Sequence, residues 1–218
     1  MKVSGKSIAT IVALVVVGAA AVAIGSGGGG DPAGGGDAAL KQYQPVQVSG
    51  TPLPAMPEDD SADAAIGEKV PVVSGFDFAG KSVSLDVAAS GKPTLVVFLA
   101  HWCPHCNREI PRILEVDADG GFPDGLRVVG VTTGSRADQP NWPPSSWLET
   151  MGWKWERMAD SETADAFMAY GGTSYPTMVF VNGDGTVRSR VSGETDTDTL
   201  KGLVKDLVKD LMEPVASA

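Results

Sequence analysis

Cys103 and Cys106 are the only cysteines in the 218 residues, and the only histidines, His101 and His105, stand beside them. Two thiols three residues apart can cycle between dithiol and disulfide. If a helix begins at Cys103, the unpaired N–H groups of its first turn and the helix dipole favour an anion there, and a thiolate is that anion. The thiolate is the species that attacks a disulfide or leaves from one. Cys106, one turn further on, is expected to be more buried and close enough to resolve a mixed disulfide. A protonated His105 would stabilise the thiolate further.

Other uses of these residues are open to the same run. A structural disulfide would close so short a loop that it contributes only about 2 kcal/mol. His101, Cys103, His105 and Cys106 could ligate zinc or copper, as in a copper-binding assembly protein, although one run of six residues wraps a tetrahedron poorly. His105 could simply be solvated. A peroxidase of the peroxiredoxin type would need Pro-x-x-x-Thr-x-x-Cys, and that spacing is missing around Cys103.

The neighbouring elements must position the pair. Thr94 to Ala100 is a compact apolar run suited to a strand buried on both faces, and a helix is expected from Cys103, with Ile110, Ile113 and Leu114 inward and a kink at Pro111. Leu126 to Thr132 predicts a second buried strand, joined by a parallel crossover. Before them, Val70 to Val73 and Ser82 to Leu85 read as a hairpin turning around Gly75 and Gly80. After them come a loop over 134–144, helical turns over 145–151, a strand over 153–158 and a helix capped by Ser161 running to Tyr170. Thr177 to Val181 and Thr186 to Val191 flank Asn182-Gly183-Asp184-Gly185, a hairpin signal. From Leu200 to Met212 apolar residues recur at helical spacing. The fold class is α/β, a mixed central sheet flanked by helices, with an N-terminal hairpin and a helical insertion.

Lys2 and Lys6 precede an apolar run from Ile8 to Ile24, which reads as a membrane segment with the remainder of the chain on the outer face. Ala21-Val22-Ala23 offers a cleavage site, and cleavage would give a secreted protein. Residues 1–24 are thus a signal-anchor, 25–65 a Gly- and then Pro-rich tether, and 66–213 the folded domain. A net charge of -10 without clustered Lys and Arg argues against nucleic acid as a partner. Trp142, Trp147, Trp153 and Trp155 could form a recognition surface, but core packing is the commoner fate of tryptophan.

The run Phe98-Leu99-Ala100-His101-Trp102-Cys103-Pro104-His105-Cys106, with Pro111 beyond it, resembles the active-site strand and kinked helix of thioredoxin-like proteins. With the opening hairpin, Tyr175-Pro176-Thr177 and the N-terminal apolar run, the chain is most similar to the membrane-anchored TlpA/ResA-like branch. The resemblance implies a thioredoxin-like fold, thiol–disulfide exchange without a cofactor, and a cis proline at Pro176 facing the cysteines. It implies bacterial exported proteins with cysteine thiols or disulfides as partners, and a redox partner in the membrane. On it, Cys103 is the attacked or attacking sulfur, Cys106 the resolving thiol and His105 the tuner of redox poise. Trp102, Pro104, Tyr175, Pro176 and Thr177 would wall the substrate site. Val97 stands where thioredoxin carries a buried Asp, so that acid's role does not transfer. The Pro104-His105 dipeptide is like that of the oxidase DsbA, whereas TlpA/ResA-like proteins usually act as reductants, for example in cytochrome maturation. The dipeptide is taken here to favour an oxidant.

Overall fold

The computed structural model describes residues 40–59 and 61–212, with side chains to residue 209. The expected signal-anchor and the first part of the tether lie outside that range; among the described residues no helix is long and apolar enough to cross a membrane.

Among the described residues the elements follow in the order β1 (Gln47–Ser49), β2 (Val72–Phe76), β3 (Ser82–Ser84), α1 (Val87–Ser90), β4 (Thr94–Leu99), α2 (Pro104–Ala118), β5 (Arg127–Thr132), α3 (Pro144–Thr150), β6 (Glu156–Ala159), α4 (Asp165–Ala169), β7 (Thr177–Val181), β8 (Val187–Ser192) and α5 (Thr197–Met212). The strands form one mixed sheet in the order β1-β2-β6-β5-β4-β7-β8, with β3 paired to β2. β4 pairs in parallel with β5 and antiparallel with β7, so the strand leading to the cysteines is central.

That centrality explains the unbroken apolar run of β4. Its side chains alternate between two cores: Leu95, Val97 and Leu99 meet α2, α5 and the tryptophans Trp147 and Trp153 on one face, while Val96 and Phe98 meet Phe167, Tyr170 and Leu85 on the other. β7 divides the same way, with Met178 and Phe180 opposed to Val179 and Val181. Gly130 of β5 admits the Trp153 indole, since a Cβ there would stand 2.7 Å from the ring. α2 turns Cys106, Glu109, Ile110, Ile113 and Val116 inward and runs on through the exposed Pro111.

Several expectations shift. The hairpin strand is Val72–Phe76 rather than Val70 to Val73, because the reversal is made by Asp77, whose Oδ1 accepts the N–H groups of Ala79 and Lys81 at 2.9 Å. The insertion strand is Glu156–Ala159, since Trp153 leaves the sheet plane to fill the core. The helix after Ser161 begins only at Asp165. Ala164 adopts a left-handed φ of 62°, and the buried Asp160 carboxylate takes the N–H groups of Ala166 and Phe167 as the cap.

The stretch from residue 41 to 57, expected to be part of a tether, docks on the folded domain. β1 pairs with β2, Leu53 and Met56 are buried, and the Leu53 and Met56 N–H groups donate to Ala169 and Gly171 carbonyls at 2.9 Å. The fully buried Arg190 guanidinium clamps this stretch, donating to Pro54 O and to both oxygens of Asp63. Proline limits chain entropy in this stretch, and the few apolar side chains between the prolines dock it. Residues 41–57 therefore belong to the domain.

Candidate active site

The active pair sits where a central strand ends and a helix starts. Cys103 is the N-cap of α2, with φ −75° and ψ 121°, and Pro104 fills the first helical position, where its missing N–H costs nothing. No side chain caps this helix end, so its free N–H groups surround the Cys103 position. Cys103 is 6% exposed and Cys106 0%. Both residues are buried, and of the two only Cys103 keeps any access.

Burial pushes the Cys106 thiol far up from its ordinary value, with the Cys103 and Glu109 charges adding to the effect, and the Ala100 N–H at 3.4 Å from its sulfur opposes this only in part. Cys106 is held as a thiol in the reduced state. Glu109 lies three residues further along the inward face of α2. Its Oε2 accepts the Thr195 N–H at 3.0 Å and one Arg112 N–H at 3.2 Å, while its Oε1 has no hydrogen-bond partner. Burial raises the Glu109 carboxyl above the usual range. Glu109 was not singled out from the sequence, although helical spacing from Cys106 places it among Ile110 and Ile113, an unusual site for a charge.

The opposite wall is the loop before β7. The Tyr175–Pro176 bond is cis. The Cys103 Sγ–H donates to the Tyr175 carbonyl at 3.5 Å, and Pro176 is buried. The Tyr175 ring meets Trp102 edge-on at 5.8 Å and Phe167 at 4.7 Å. Gly134, at φ 54°, leaves room for the Tyr175 hydroxyl, which would lie 2.6 Å from a Cβ there. Trp102 donates its indole N–H to Gly134 O at 2.8 Å and lies under the exposed Arg136 guanidinium at 5.7 Å. Trp102, Pro104, Tyr175 and Pro176 thus converge around Cys103. Thr177 does not join them: it is fully buried, paired to Phe98 across the sheet, with its hydroxyl tied to Ser174 O at 2.7 Å. It braces the loop from behind, because the strand alternation turns it inward.

His105 projects outward, its side chain 56% exposed, and its Nδ1 lies 2.5 Å from Glu194 Oε1. The same carboxylate receives Arg108 and Arg112, and the hydrogen bonds from these side chains, Arg108 foremost and then His105, hold the Glu194 carboxyl down at about 2. His101 is buried, and desolvation lowers its pKa. Its Nδ1 bonds Pro140 O at 2.7 Å and its Nε2 accepts the Arg136 N–H at 3.1 Å, so neither nitrogen is offered to a metal. Among the described residues no three His, Cys, Asp or Glu side chains converge as metal ligands.

Asn107 and Asn141, unforeseen from the sequence, tie the insertion to the first turn of α2. The Asn107 amide donates to Cys103 O at 2.8 Å, Asn141 to His101 O at 2.9 Å, and the Trp147 indole N–H to Asn107 Oδ1 at 2.9 Å. Trp147 and Trp153 are core residues, and Trp155 is half-buried against them. Only Trp142 stands substantially exposed, over His101 and Tyr43.

A family model for AhpC/TSA matches residues 66–190, more than half of the chain. The chain belongs to the AhpC/TSA family. It is 28% identical over 159 residues to the methylamine utilization protein MauD of Paracoccus denitrificans, covering 72% of each chain. It is 27% identical over 133 residues to the thiol:disulfide interchange protein DsbE of Escherichia coli K12, covering 60% of this chain and 67% of that one. Among solved structures, the thioredoxin domain of a thiol-disulfide oxidoreductase from Bacteroides vulgatus matches with TM-score 0.52 and 27% identity, over 66% of this chain and 98% of that one. A secreted Mycobacterium tuberculosis disulfide oxidoreductase homologous to DsbE matches with TM-score 0.50 and 26% identity, over 62% and 95%. The fold is thioredoxin-like, Cys103 and Cys106 form its Cys-x-x-Cys pair, and the chain is a protein thiol–disulfide oxidoreductase.

Proposed function

We propose that this AhpC/TSA-family protein exchanges disulfides with exported proteins outside the cytoplasmic membrane, as an oxidant of their thiols. The apolar run Ile8 to Ile24 would hold it to the membrane through a tether that ends near residue 40. The secreted character of the Mycobacterium tuberculosis relative supports that location. A redox partner in the membrane would reoxidise the pair after each turnover.

One observation carries the reading: Cys103, still 6% exposed, stands at an uncapped helix start beside the Tyr175 carbonyl, while Cys106 is fully buried. A substrate segment laid in extended form along Tyr175 and Pro176 would bring its sulfur to Cys103. The incoming thiolate attacks Cys103 Sγ, the Cys103–Cys106 bond breaks, and its electron pair leaves on Cys106. Attack by a second substrate thiol on the mixed disulfide releases oxidised substrate and the Cys103 thiolate. In the reverse direction, Cys106 must lose its proton to resolve the mixed disulfide, and Glu109, with one oxygen unpartnered, is the base for it.

Direction follows from what stabilises the reduced form. The Pro104-His105 dipeptide between the cysteines, like that of the oxidase DsbA, supports the oxidising direction, because redox poise follows the relative stability of dithiol and disulfide. Equilibration with glutathione buffers tests this. The account expects a potential well above the roughly −270 mV of thioredoxin, lowered by His105→Pro. A thioredoxin-like potential, or one unmoved by His105→Pro, would sink the oxidant reading.

A further inference from the structure

We infer that Glu194 is a positioning residue that fixes the proton of His105 on Nδ1 and so keeps Nε2 as a proton acceptor and donor for the exchanging sulfurs. The inference rests on the thiol–disulfide exchange proposed above and assigns a residue that neither the motif nor the helix start accounts for.

Glu194 lies in the loop between β8 and α5, and that loop is pinned on both sides of it. The Gly193 N–H donates to Pro176 O at 2.8 Å, and the Thr195 N–H donates to Glu109 Oε2 at 3.0 Å. Its position is therefore set by the proline loop and by α2, independently of His105. From there Oε1 lies 2.5 Å from His105 Nδ1 and receives Arg108 Nε at 3.0 Å and Arg108 Nη2 at 2.5 Å, while Oε2 receives Arg112 Nη1 at 2.9 Å. The two arginines keep the carboxylate ionised, and an ionised carboxylate only accepts hydrogen bonds. The contact with His105 therefore requires a proton on Nδ1. Arg108 Nη2, 3.0 Å from the same nitrogen, is itself a donor and cannot replace that contact while Nδ1 is protonated.

A neutral His105 held this way carries its lone pair on Nε2, on a side chain 56% exposed next to the Cys103 position. The groups in contact with it are Glu194 from the β8–α5 loop and Arg108 on its own helix; Arg112, which also bonds Glu109, reaches Glu194 from further along α2.

The chemistry gives this nitrogen a task that a fixed positive charge cannot perform. When an incoming substrate thiol attacks Cys103, its S–H proton passes to Nε2 as the new S–S bond forms, and the electron pair of the broken Cys103–Cys106 bond leaves on Cys106. In reverse, the Cys103 S–H gives its proton to Nε2 as its sulfur attacks a substrate disulfide, the bond within that disulfide breaks, and the Nε2–H so formed protonates the departing thiolate. The two electrons travel between substrate and cysteine pair in both directions, and His105 moves only the proton.

The test uses the full chain, whose two histidines are each other's control. Long-range 1H–15N spectra at alkaline pH should show both as Nδ1–H tautomers, His101 because its Nδ1 is bonded to Pro140 O and its Nε2 accepts from Arg136. Glu194→Ala should convert His105 mainly to the Nε2–H form and leave His101 unchanged, which also reports that the fold is intact. The same substitution should slow exchange with a peptide dithiol about tenfold, and have no further effect in a His105→Asn background. An equal slowing in that background, or a His105 tautomer indifferent to Glu194→Ala in an active protein, would overturn the role of Glu194 alone. A wild-type chain with no exchange activity would overturn the proposed function, and this role with it.

Discussion

At the scale of single residues, the two cysteines are made unequal by their surroundings, Cys106 being fully buried and Cys103 nearly so. Cys103 is served by an uncapped helix end, whereas Cys106 shares the core with Ile110 and Ile113 and has its thiol pushed up by burial. The motif itself announced the pair, and the three-residue spacing announced their order of depth. Glu109 was hidden because an acid in a charged helix reads as a solvated face until its register against Cys106 is drawn. Glu194 was hidden for a different reason: 86 residues and four strands separate it from Arg108, and no local pattern encodes such a contact. Glu109→Gln is expected to lengthen the life of a mixed disulfide formed by attack of Cys103 on a substrate disulfide, by roughly 10²-fold. Burial raises the Glu109 carboxyl, so the base form appears only above the usual carboxylate range, and resolution in the wild type should accelerate with rising pH where the variant does not. Rapid acid quenching followed by alkylation measures that lifetime; equal lifetimes in wild type and variant would remove Glu109 from the reaction.

At the scale of elements, legibility followed locality. β4, β5, β7 and α5 lie close to their sequence-based positions because continuous apolar runs and helical spacing specify them without help from distant residues. β1 and the docked stretch around Leu53 and Met56 escaped, because proline-rich composition normally marks a linker and their partners, Ala169, Gly171 and Arg190, are far away in the chain. Asp63→Asn tests how firmly that stretch is clamped. It leaves the fully buried Arg190 guanidinium without its carboxylate, a change that costs about 3–5 kcal/mol when a buried pair loses one partner. Arg190 holds the Asp63 carboxyl below its ordinary value, so this contribution is present above the unfolded carboxylate range and is lost as pH falls through the lowered one. Urea unfolding should therefore show a large gap between wild type and variant at neutral pH that narrows in acid. A gap independent of pH would mean that the ion pair is not what secures the segment.

At the scale of the whole molecule, a mixed sheet whose central strand leads into Cys103 brings together a helix start, a proline loop and the β8–α5 loop that no stretch of sequence contains side by side. The fold class was legible from the alternation of strands and helices, and the resemblance of the active-site run to thioredoxin-like proteins agrees with the AhpC/TSA match. The proposed anchor falls in residues outside the described range, and its role rests on the charge and hydropathy of the first 24 residues alone. What joins site to function is the division of labour between the two sulfurs, and trapping measures it most directly. Cells producing the full chain with Cys106→Ser should accumulate covalent adducts with other exported proteins on non-reducing gels, released by reductant and mapping to Cys103 by mass spectrometry, while Cys103→Ser should accumulate few. Equal trapping by the two variants, or adducts absent from both, would contradict the account.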